Sequence, residues 1–183
     1  KTIKIWDSSS QHSLLSISQL CPIYCIDNIN SNSFITGDKN KNIYIHHFNI
    51  NSDNITKGMM IKKHIEHHSG FIWHVLVLKK LNKTNKHYFI SSSKNNLILH
   101  QLSGDHITKQ IDNIHTFKEA HDGLIKDITE LSFGKFASCG VDNTIKIWEY
   151  NKINCIHIIT DVFEKSNNSS INCLLYLNDY DIQ

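Results

Sequence analysis

Residues 136–148 read Phe136-Ala137-Ser138-Cys139-Gly140-Val141-Asp142-Asn143-Thr144-Ile145-Lys146-Ile147-Trp148, and this stretch decides the fold. It begins as a short apolar strand, turns at Gly140 to Asn143, and leaves as a second strand that alternates apolar and polar with a period of two. The chain's opening, Thr2-Ile3-Lys4-Ile5-Trp6-Asp7, repeats the second half of the pattern. Weaker copies run from Phe34-Ile35-Thr36-Gly37 to Ile43-Tyr44-Ile45-His46, and from Phe89-Ile90-Ser91 to Leu97-Ile98-Leu99-His100. The anchors Ile3, Ile43, Leu97 and Ile145 stand 40, 54 and 48 residues apart.

Two further families of strands frame these copies. One precedes each unit, at 23–26, 72–78, 124–128 and 171–175; its apolar runs suit a strand packed on both faces. The other follows, at 13–17, 59–61, 114–117 and 155–159. Four short strands per unit, with no helical periodicity, make the chain all-β. One Pro and 7 Gly leave the turns to Asn, Asp and Ser. The polar segments 49–57 and 104–113 account for the longer intervals and read as surface insertions.

A unit repeated in this way resembles the WD repeat, whose length is roughly 40–45 residues. Ala120-His121 stands where that family carries Gly-His, and Ile145-Lys146-Ile147-Trp148 where it carries the strand ending in Trp. The resemblance implies a β-propeller of four-stranded antiparallel blades. The expected divisions are 1–18 as the end of one blade, 19–64 as a blade, 65–118 as a blade with an insertion, 119–160 as a blade and 161–183 as the start of the next. It also implies a buried hydrogen-bonded brace of His121, Ser138, Asp142 and Trp148. The second unit keeps Thr36 but has Gln19, Asn40 and His46 at the other three positions. The third keeps His68 and Ser91, has Asn95 and His100 for Asp and Trp, and is one residue short between strands.

A chain that opens in mid-pattern without Met reads as part of something longer. An open arc exposes strand edges and apolar blade faces, so the remaining blades are expected in unseen sequence or in a partner chain. The net charge of +2 and the use of Lys for all 19 basic residues argue against a dedicated nucleic-acid binder, because Arg is the side chain that grips phosphate and guanine in a fork. No apolar run reaches the roughly 18 residues of a membrane span. Cysteines at 21, 25, 139, 155 and 173, an odd count with no secretory signal, point to reduced thiols in the cytoplasm or nucleus.

Catalytic and metal sites receive bland readings. His121, Ser138 and Asp142 include the residue types of a nucleophilic triad, but Ser138 lies in mid-strand, away from any oxyanion hole. Cys21 and Cys25 lack a second pair at zinc-ribbon spacing and read as small core residues. His64, His67, His68 and His74 lie on strand, loop and strand, not on the helix of the zinc hydrolases. The lysines at 79, 80, 83 and 86 fit a solvated hairpin loop. No enzyme activity, metal or cofactor is expected.

By resemblance, recognition residues sit just past the first apolar anchor and just before the turn acid. The first rule selects Tyr24, Trp73 and Lys126; the second selects Lys39, Lys94 and Val141. The function implied is a non-catalytic scaffold that binds protein partners within a larger complex. The alternative is a ubiquitin-pathway adaptor. His68-Ser69-Gly70-Phe71-Ile72-Trp73 and Phe136-Ala137-Ser138-Cys139 resemble propellers of the ubiquitin-binding phospholipase-A-activating family, which makes ubiquitin the partner in that alternative.

Overall fold

The computed structural model describes residues 1–9, 11–51, 54–64, 68–79, 86–103, 110–132, 134–152, 154–160 and 170–177, with backbone only at 50–51 and 54–64. All of its regular elements are strands. An antiparallel hairpin, β1 (Thr2–Trp6) and β2 (Ser13–Ser18), comes first. Three four-stranded antiparallel sheets follow. The first complete blade is β3 (Ile23–Asn30), β4 (Ser33–Asp38), β5 (Asn42–Asn51) and β6 (Asn54–His64). The second is β7 (His74–Leu78), β8 (His87–Ser93), β9 (Asn96–Ser103) and β10 (Gln110–Phe117). The third is β11 (Ile125–Glu130), β12 (Lys135–Gly140), β13 (Ile145–Glu149) and β14 (Cys155–Ile159). Strands within each sheet neighbour one another in chain order, the meander of a propeller blade.

The core lies between blades and not within them. One cluster joins Ile35 and Ile43 of the first blade to Ile72, Val75 and Phe89 of the second. The next joins Ile90 and Leu97 of the second to Ile128, Phe136 and Trp148 of the third. Ile17, with Ile3 and Ile5, seats the opening hairpin on Phe34 and Phe48. A single sheet cannot bury its own apolar face, so stacking supplies the stability. The second blade, covered on both sides, accordingly has Leu97, Ile98, Leu99 and His100 of β9 all buried.

One backbone contact repeats at every junction. Ile72 N–H donates to Asp38 O (3.1 Å), Ile125 N–H to Lys94 O (2.7 Å) and Ile171 N–H to Gly140 O (3.2 Å). Each isoleucine is buried, and its N–H meets the turn of the preceding blade. Gly37 makes room for the first: a Cβ there would stand 2.4 Å from Ile72 Cγ2.

Two sequence expectations need correction. Residues 171–175 form no strand, because among the described residues no neighbour offers them a ladder; they dock through Ile171 and through Leu174 N–H on Asp127 Oδ2 (2.8 Å). Nor is 49–57 a surface loop. The β5–β6 ladder continues through Phe48↔Lys57 and Ile50↔Ile55 to Asn51↔Asn54, so the insertion is a lengthened hairpin. Of the second insertion, 110–113 belongs to β10 while 104–109 lie outside the described residues, as do His67, Lys80, Lys83, 161–169 and 178–183. No helix among the described residues is long and apolar enough to cross a membrane.

Candidate partner-binding face

The most complete side-chain brace is in the third blade. Trp148 Nε1–H donates to Ser138 Oγ (2.8 Å), and Ser138 Oγ lies 2.7 Å from His121 Nε2. His121 Nδ1 lies 2.9 Å from Asp142 Oδ2. The Asp142 carboxylate can only accept, so the proton of the neutral His121 ring sits on Nδ1 and is directed at it. His121 Nε2 is then an acceptor for the Ser138 hydroxyl, which in turn accepts from the indole. Burial pushes the His121 pKa below 6.5 although Asp142 pulls the other way, so the ring is neutral at neutral pH. Burial would raise Asp142, but hydrogen bonds from His121, Asp122 N–H and Thr144 outweigh it and hold the carboxyl below its usual range. Ser138 and His121 are fully buried, which removes them from any nucleophilic role.

The other blades keep the hydroxyl and change its partners. In the first, Thr36 Oγ1 lies 3.1 Å from His46 Nε2, and His46 stacks on Phe34 with centroids 4.6 Å apart. In the second, Ser91 Oγ lies 2.7 Å from both His68 Nε2 and His100 Nε2. The turn acid of the first blade is not at position 40, as alignment on Asp142 suggests. Buried Asp38, two residues earlier, accepts from Asn40 N–H (2.7 Å), Asn42 N–H (2.8 Å), Asn42 Nδ2 (2.8 Å) and Tyr44 Oη (3.1 Å). Asn40 Nδ2 instead reaches Cys21 Sγ (2.9 Å).

Three of the six residues selected for partner binding meet where the first and second blades abut. Alternation along Phe71-Ile72-Trp73 sends Ile72 into the inter-blade core and leaves Phe71 and Trp73 half-buried on the other side. Tyr24, at the start of β3 and 41% exposed, stacks on Phe71 (5.6 Å, 11° between planes) and leans on Trp73 (4.8 Å). Lys39, in the β4–β5 turn, places Nζ 5.5 Å from the Phe71 centroid. Lys94 lies over Gly70, whose Cβ position is 3.2 Å from Lys94 Cε. Lys126 sits close enough to His74 that burial first, and then the lysine's charge, lowers that imidazole's pKa against the pull of Asp127. Val141 is exposed but leans over Gly123, on the loop of its own blade.

Phe71 was not selected from the sequence, and it is the centre of the group. The signal was present: two aromatics flanking a core isoleucine in a strand-like segment must share the face opposite to it. Burial pushes the Cys25 and Cys139 thiols up to about 12, so neither offers a thiolate. Among the described residues, no group of three or more His, Cys, Asp or Glu could hold a metal ion.

Against solved structures, the chain matches the crystal structure of the WD40 β-propeller domain of Doa1 with a TM-score of 0.60 and 22% identity. The fold is that of a WD40 propeller. The match covers 87% of this chain and 47% of the other, so the chain spans about half the length of the WD40 domain it resembles. No family model matches the sequence, and no curated protein does. Since 592 solved chains match this WD40 arc, the likeness defines architecture alone.

Proposed function

We propose that this WD40 arc is a non-catalytic scaffold that binds protein partners through the face carrying Tyr24, Phe71 and Trp73, as part of a larger complex. The observation that carries the reading is the stacked trio itself. Three aromatic rings are held half-open by a buried isoleucine, and large rings with few rotamers to freeze supply binding energy at low entropic cost. The remaining blades of the ring come from further sequence or a partner chain; exposed Ile26, Leu175 and Leu177 are the kind of apolar surface such neighbours would cover. Five free cysteines suit a reducing compartment, cytoplasm or nucleus.

The test is gentle capture of the tagged protein from its own cells, beside a Tyr24→Ala/Trp73→Ala variant of unchanged circular dichroism. Loss of stable partners from the variant supports the face; an unchanged partner set removes it. A second reading, the ubiquitin-pathway adaptor, rests on the run from His68 to Trp73, which places Phe71 and Trp73 on this same face. Titration with free ubiquitin separates the two, because the scaffold reading expects no binding.

A further inference from the structure

We infer that the segment recognised by this face is acidic and carries one aromatic or large aliphatic side chain. The inference rests on the face proposed above and adds the chemistry of its partner. The apolar half follows from Tyr24, Phe71 and Trp73, whose rings are open to solvent yet fixed by mutual contact (centroids 4.8 to 5.9 Å). The charge follows from what surrounds them. Lys39 stands over Phe71, and Lys94 over Gly70 next to it.

Two carboxylates of the surrounding strands, Asp38 and Asp127, are already engaged by neutral donors. Asp38 is fully buried and accepts from Asn40, Asn42 and Tyr44. Asp127 Oδ2 accepts Leu174 N–H (2.8 Å) and its Oδ1 accepts Ile128 N–H (2.8 Å). Lys39 and Lys94 thus give the face a positive rim, and both are flexible ammonium groups suited to scattered carboxylates and not to a single forked contact. A basic segment would meet like charge at the rim, which costs association rate and specificity.

The probes are three synthetic peptides of about a dozen residues, tested by fluorescence anisotropy with the full chain. The first flanks one Phe with Asp and Glu, the second replaces each acid by Lys, and the third replaces the Phe by Ala. The first should bind at least about tenfold more tightly than either control, and weaken with added salt. Lys39→Glu/Lys94→Glu should weaken it by about tenfold or more, and Tyr24→Ala, which sits at an exposed position, should do the same without disturbing the fold. Equal binding of acidic and basic peptides, or binding of none of the three, overturns the inference. The face and its chemistry fail separately: partners captured from cells that are lost with Tyr24→Ala/Trp73→Ala but kept by Lys39→Glu/Lys94→Glu leave the face standing and remove the acidic assignment.

Discussion

In the third complete blade the turn carboxylate, Asp142, reaches outward to His121 of the preceding loop; in the first, Asp38 sits two turn positions earlier and folds inward on its own turn. The backbone around both is the same. Each turn joins paired strand ends with five residues between them, Gly37↔Ile43 and Cys139↔Ile145, and each has a left-handed residue at the fourth of these positions, Lys41 (φ 61°) and Asn143 (φ 56°). The fifth residue donates twice to the acid in both, through N–H and side chain, as Asn42 to Asp38 and Thr144 to Asp142. What differs is the loop. Where His121 is available the acid ties loop to turn; where the position holds Gln19, the acid closes the turn alone and recruits Tyr44. The motif therefore reflects a requirement to satisfy buried donors, and more than one arrangement meets it.

Removing the acids should separate the two solutions most strongly. Asp38→Ala strips the acceptor from four donors in a fully buried site, and should cost about 4 kcal/mol in chemical denaturation. Asp142→Ala should cost less, about 2 kcal/mol, because Asp122 N–H is exposed and can turn to water. The opposite order would mean that tying the loop matters more than closing the turn.

The shared hydroxyl gives a smaller contrast. Ser138→Ala leaves both Trp148 Nε1–H and His121 Nε2 buried without their partner, for an expected loss of about 2 to 3 kcal/mol. Thr36→Val removes one contact, to His46, and keeps the shape, so about 1 kcal/mol is expected. Equal losses would show that His46 depends on Thr36 as fully as Trp148 depends on Ser138. Of similar size is Gly37→Ala, about 1 to 2 kcal/mol from the collision with Ile72 Cγ2, whereas Cys139→Ala at the matching position causes no collision and should lose only the buried thiol's packing and its contact with Ile171 O (3.3 Å), about 1 kcal/mol. Because Ile72 seats Phe71 and Trp73, the glycine variant should also shift Trp fluorescence, and a change in stability without that shift would uncouple the core wedge from the face.

The brace of the third blade was legible because its residues stand in the repeat's own order from Ser138 to Trp148. Asp38 was not, since alignment assigns roles by position and a carboxylate can reach the same donors from two residues away. His46 and His100 looked like losses of Trp, yet a ring nitrogen facing a hydroxyl survives both exchanges. The 49–57 segment misled because Asn and Ser suggest loops, whereas a ladder needs only backbone groups and the opposed Ile50 and Ile55. Tyr24, Trp73 and Lys39 were selected by rule, but their meeting around Phe71 depends on how two blades abut, which no single repeat encodes.

The smallest expected effect is a pH dependence that belongs to one solution and not the other. His121 has its folded-state pKa pushed below 6.5 by burial, so the unfolded chain binds a proton more readily than the folded one. Its contribution is complete above pH 6.5 and is lost as the pH falls through the folded-state value. His74, lowered chiefly by burial, acts in the same direction in the second blade. Asp142, held below 3.8, adds a further loss only in stronger acid. Stability measured by urea denaturation should thus be level with respect to these groups above pH 6.5 and decline below it. His74→Gln should remove part of that decline, and His74→Gln/His121→Gln more of it, the remainder belonging to other buried histidines such as His46, His68 and His100. The reason is specific to the brace. A second proton, on His121 Nε2, would remove the acceptor that faces Ser138 Oγ and place a charge in a fully buried site. A decline that begins above pH 6.5, or one unchanged in the double variant, would place the titrating group elsewhere and break the link between the tautomer and the blade's stability.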